Sequence, residues 1–65
     1  MNPEGYKEPQ GPFYVEIYTG TKENFGWDLW AEVEEWEDAK AEAQQVLSHK
    51  YEYRIKNGEG QEFKL

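Results

Sequence analysis

The 65-residue sequence predicts a two-layer α+β domain, β-β-α-β-β, in which one helix covers one face of a four-stranded antiparallel sheet. Three observations predict it. Apolar and polar residues alternate along 13–18, 27–34 and 51–56. From Glu35 to Lys50 the apolar spacing changes to that of a helix. The last segment, YEYRIKNGEGQEFKL, carries a glycine-marked turn between two apolar runs.

Residues 1–12, MNPEGYKEPQGP, hold all three prolines and two of the glycines. They read as a flexible tail in front of one domain over 13–65. The first strand, FYVEIY (13–18), places Phe13, Val15 and Ile17 on a core face and Tyr14, Glu16 and Tyr18 on the other. After a loop, TGTKENFG, the second strand is WDLWAEVE (27–34). Unbroken alternation turns Trp27, Leu29, Ala31 and Val33 inward and Asp28, Trp30, Glu32 and Glu34 outward.

Trp36, Ala39, Ala43, Val46 and Leu47 form the apolar stripe of the helix. Glu37 and Asp38 lie in its first turn, where the helix dipole favours anions, and His49 and Lys50 lie at its end, where it favours cations. Glu35 is a mediocre cap, which leaves the start open by a residue or two. In the closing hairpin, an Asn57-Gly58 turn would push Phe63 outward. A three-residue loop, Gly58-Glu59-Gly60, with Gly60 left-handed, pairs Ile55 with Phe63 and Tyr53 with Leu65. The second register is preferred because it buries the apolar face. The helix returns the chain beside the first strand, which gives the strand order 2-1-3-4.

A domain of this length buries only about 60% of its unfolded surface. There is no cysteine, so disulfides and thiolate metal sites are excluded; a reducing cytosol is the expected setting. Three Trp, five Tyr and three Phe supply the core instead. The net charge is −7, and residues 16–42 account for it with nine acids against Lys22 and Lys40. Such a field disfavours direct binding to nucleic acid or to an anionic membrane and favours a basic partner. No apolar run reaches the roughly 20 residues of a membrane span, and the N-terminus lacks the pattern of a signal peptide.

Two constellations stand out. On the open sheet face, Tyr14, Tyr18 and Trp30 sit among charges, as the anchors of a protein interface do; ordinary cross-strand pairs use the same residues. On the helix flank, Glu35, Asp38 and Glu42 lie about 4.5 and 6 Å apart along the axis. That spacing is comparable in scale to the ~3.4 Å repeat of phosphates along a nucleic-acid strand. With Glu32 and Glu34 leading in, they form a negative ridge, which an ordinary solvated helix face would also show. Ser48, His49 and Glu52 near the helix end lack the orienting group and pocket that catalysis needs. The expectation is a protein that is not an enzyme and has no cofactor and no metal.

The aromatic-led strand FYVEI, the acid-led alanine-rich helix EDAKAEA and the closing strand YRI together span residues 13–56. In that order they resemble small phage-encoded inhibitors of host enzymes, with the RNA polymerase inhibitors of T7-like phages nearest in pattern. Anti-restriction and anti-CRISPR proteins are similar in general character. This chain departs by a fourth strand and a proline-rich tail, and no functional residue is carried over. The resemblance implies a compact acidic viral protein, working in the host cytoplasm, that plugs a basic surface of a host or defence protein. The alternative is an assembly module that forms a homodimer or joins a larger subunit through its open aromatic face.

Overall fold

The computed structural model describes residues 11–65. It contains β1 (Phe13–Tyr18), a 3-10 turn (Glu23–Gly26), β2 (Trp27–Val33), α1 (Trp36–Ser48), β3 (Tyr53–Asn57) and β4 (Glu62–Phe63). The four strands form one antiparallel sheet in the order β2-β1-β3-β4, as the sequence predicts. Of the flexible tail expected over residues 1–12, residues 1–10 lie outside the described residues. Gly11 already lies against the backbone of Glu34, so close that a Cβ there would clash with the Glu34 carbonyl. Among the described residues no helix is long and apolar enough to cross a membrane.

The core lies between α1 and the sheet. Phe13, Val15, Ala39, Ala43, Val46 and Ile55 are fully buried. Alanine at 39 and 43 lets the helix approach the strands closely, and larger side chains fill the margins. At one end, Phe13, Trp36 and Phe63 form a ring cluster with centroid separations of 5.4, 5.6 and 5.9 Å. Such pairs add about 0.5–1.5 kcal/mol each beyond the area they bury. This cluster fixes the angle at which the helix leaves the sheet, and it ties β4 to the core.

The closing hairpin adopts the three-residue loop. Ile55 faces Phe63, Asn57 N–H donates to the Gln61 carbonyl, and Gly60 has φ +85°. Asn57 Oδ1 accepts bonds from the backbone N–H of Glu59 and Gln61 at 2.9 and 3.0 Å, so the side chain organises the turn. The expected Tyr53–Leu65 pair is replaced by a looser contact. The ladder ends at Phe63, and Leu65 N–H donates to the Tyr53 hydroxyl at 3.0 Å.

β2 departs from the unbroken alternation. Val15 faces Ala31, but Glu16 faces Leu29, so Trp30 is an extra residue opposite β1. A bulge points two successive side chains to one side and inverts the faces beyond it. Trp30 therefore joins Ala31 and Val33 against the core, and it packs on the buried cluster. Trp27 and Leu29, expected inward, pair with Tyr18 and Glu16 and so share the open face; Leu29 is 58% exposed. The physical reason is volume and a hydrogen bond. Turned inward, the large indole of Trp30 packs on the buried cluster and its N–H reaches Glu42 on α1, a bond that Leu29 could not make.

Candidate functional site

The acids of the ridge are positioned by β2, by the corner after it and by the first half of α1. Glu32 is the cross-strand partner of Tyr14, which places it on the open face. Glu34 and Glu35 turn the corner into the helix and are exposed, and Asp38 is exposed in the first turn. Glu42 is half-buried because Trp30 Nε1 donates to its Oε1 at 3.0 Å. That bond reaches from β2 to α1, so Glu42 lies on the flank above the β2 edge. Asp38, one turn earlier, shares that flank. His49, two turns beyond Glu42, completes the row by lying 5.7 Å from the Trp30 ring.

The five predicted acids are spread over β2, the corner after it and the first half of α1, in two kinds of environment. Glu32, Glu34, Glu35 and Asp38 have no ion-pair partner among the described residues, where the salt bridges are Lys40–Glu37 and Arg54–Glu16. Glu42 is engaged with the indole and holds the helix to β2. Between Glu23 and Ala39 the sequence has seven acids (Glu23, Asp28, Glu32, Glu34, Glu35, Glu37, Asp38) and no lysine or arginine. Lys50, Arg54, Lys56 and Lys64 belong to the helix end and to the β3–β4 side of the sheet. Lys22 precedes the 3-10 turn and Lys40 pairs with Glu37 on α1, so the separation holds within the sheet: β2 carries Asp28 and Glu32, and the cations Arg54 and Lys56 lie on β3.

The open face carries Tyr14 and Tyr18 as predicted, without Trp30. Its centre is an ion pair that the sequence reading did not anticipate. Arg54 Nε donates to Glu16 Oε1 at 2.5 Å, and the two side chains are only 19% and 13% exposed. The Arg54 guanidinium stacks 4.4 Å from the Trp27 ring centroid, and Trp27 meets Tyr18 edge-on at 5.4 Å. Register alone allowed the Glu16–Arg54 pair to be found, since the two residues are directly opposite across β1 and β3. The Trp27 contribution was hidden by the bulge. Beside the ion pair lies a shallow concavity of about 340 Å³ lined by Tyr14, Glu16, Lys56, Asn57, Gly58 and Gly60.

No protein-family model, curated protein or solved structure matches this chain. What the surface can do follows from its own chemistry.

Ser48 and His49, the side chains considered for catalysis, are bound into the helix end. Ser48 Oγ donates to the Gln45 carbonyl at 2.8 Å, and His49 Nδ1 lies 2.8 Å from the same oxygen. Among the described residues no group of three or more His, Cys, Asp or Glu is arranged around a point where a metal ion would sit.

Proposed function

We propose that the chain is a small acidic binding protein, viral in origin, that inhibits a host or defence nucleic-acid-binding protein by occupying its basic surface in place of nucleic acid. One observation carries the reading: among the described residues Glu32, Glu34, Glu35 and Asp38 are exposed and form no salt bridge, while the sheet's cations Arg54 and Lys56 lie on β3, separated from β2 by β1. Long-range attraction from such acids speeds encounter with a basic groove and makes the rate fall with salt.

The test replaces Glu34 and Glu35 by Gln and Asp38 by Asn, leaving Glu42 in place because it bonds Trp30. Proteins retained from a bacterial lysate by the parent chain should be released by excess duplex DNA and should not be retained by the triple variant. Retention that is indifferent to DNA and to the three substitutions would remove the reading.

The exposure of Leu29 on the open face favours the second reading, an assembly module. Sedimentation at micromolar concentration decides it: a dimer that Leu29→Lys dissociates supports assembly.

A further inference from the structure

Among the described residues, the β1–β2 connection carries the most exposed large hydrophobic side chain. Phe25 is 94% exposed, whereas Phe13, Tyr18, Trp27, Trp30, Trp36, Tyr53 and Phe63 each pack on a neighbour. Its backbone is left-handed, with φ 57° and ψ 29°, and it follows Asn24 at φ 50° and ψ 37°. Asn tolerates that region; a bulky aromatic seldom adopts it. The surrounding loop enforces the conformation. Thr19 and Gly20 N–H both donate to the Gly26 carbonyl, at 2.8 and 3.0 Å, and Asn24 Nδ2 donates to the Trp27 carbonyl at 3.2 Å. Gly26, at φ +96°, lies so close to the Tyr18 ring that a Cβ would stand 2.6 Å from it. The loop is thus seated on the sheet while the Phe25 ring projects from it.

The bulge at Trp30 puts further apolar surface on the open face of the strands that this loop joins. Tyr18, Trp27 and Leu29 share the open face next to the loop, and Tyr18 and Leu29 are 46% and 58% exposed. The Glu16–Arg54 ion pair under Trp27 is internally neutral, so it leaves this patch without net charge. Lys22 opens the loop and Lys64 shares a concavity with Trp27, while every charged residue from Glu23 to Ala39 is an acid. An occupant must therefore combine an apolar recess with a cationic rim. A second copy of this chain, at net charge −7, would bring like charges together.

We infer that Phe25, together with the exposed Leu29 of the open face, is the apolar anchor by which this protein docks into a recess bordered by Lys and Arg on a basic protein partner. This rests on the reading of the chain as an occupant of basic surfaces and names the contact that slows release. Buried aromatic anchors dominate such interfaces, and neutral contacts around them exclude water.

The experiment places the photo-cross-linker p-benzoylphenylalanine at position 25, at position 38 or at position 59 on the distant hairpin, and irradiates each protein in bacterial lysate. Expected are cross-links from positions 25 and 38 to one protein, suppressed by excess duplex DNA, with the position-25 link mapped to an apolar peptide flanked by Lys or Arg. Phe25→Ala should cut the position-38 yield about tenfold or more. A DNA-suppressed link from position 38 without one from position 25 overturns the anchor and leaves the basic-surface reading standing. A link from position 25 that DNA does not suppress, or that joins two copies of this chain, overturns the basic partner. No link from 25 or 38 overturns both. Independently, Phe25→Gly should leave the urea midpoint equal or higher, since the ring supports nothing in the fold. A lower midpoint would show that Phe25 packs, which removes the anchor.

Discussion

Trp30 shows how one side chain can settle the register of a strand. Its indole N–H reaches Glu42 on the helix, and its ring lies against His49 and the buried cluster. A hydrogen bond to a charged acceptor contributes about 1.5–3 kcal/mol when partly shielded from water. Trp30→Phe keeps most of the packing and loses the donor, so it should lower stability by about 1–2 kcal/mol in urea unfolding. An open-face tryptophan would change stability by less than about 0.5 kcal/mol on the same substitution. The two placements are therefore separable by one denaturation curve. Glu42 bears on function through this bond. An acid that fixes the helix to β2 is poorly chosen as a probe of partner binding, because its loss disturbs the scaffold that displays Asp38.

At the scale of elements, the helix and the two hairpins differ in how openly the sequence declares them. β1 and α1 follow from periodicity, because each presents one apolar face to a single core. The closing hairpin follows from the same argument: only the three-residue loop brings Phe63 to Ile55, and burial outweighed the more familiar Asn-Gly turn. β2 is different. A bulge keeps the local alternation on each side of it and reverses its meaning between them, so counting apolar residues cannot reveal it. The acids of the candidate site were legible because charge needs no register, whereas Trp27, Leu29 and Trp30 depended on it. The partner that fixes Trp30 is Glu42 on α1, and nothing in the local pattern of β2 points to it.

The end of α1 carries a testable compromise of its own. His49 caps the helix, Lys50 N–H bonds the Leu47 carbonyl, and Tyr51 N–H bonds the Val46 carbonyl, the pattern of a Schellman turn. Lys50 occupies the left-handed position at φ 66°, where glycine avoids a steric cost of about 1–2 kcal/mol. The unfolded chain gains freedom with glycine, which offsets part of this. Lys50→Gly should therefore raise stability by up to about 1 kcal/mol, read as a higher urea midpoint at unchanged slope. A lower midpoint would mean that the lysine charge near the helix end matters more than its backbone strain.

For the whole molecule, the charge that makes the proposed partner site also opposes folding. The net charge is −7 on 65 residues, and Glu32, Glu34, Glu35 and Asp38 face solvent without cation partners among the described residues. Their mutual repulsion is felt in the compact chain more than in the unfolded one. Screening should relieve it, because the Debye length falls from roughly 20–30 Å near ~0.01–0.02 M salt to under about 5 Å near ~0.5 M. Raising sodium chloride over that range should lift the melting temperature by about 4 °C or more, as expected for relief of about 1 kcal/mol in a domain of this size. Glu32→Gln with Glu34→Gln should reproduce part of the rise at low salt and reduce its salt dependence. Asp38 is excluded from this pair because its place in the first helix turn gains from the dipole, which would mask the effect. The same double variant should bind a basic partner more weakly. Stability and binding then move in opposite directions, the signature of charges kept for an interface at the expense of the fold. A melting temperature indifferent to salt and to both substitutions would show that the acids are already neutralised, and their proposed role would lose its basis.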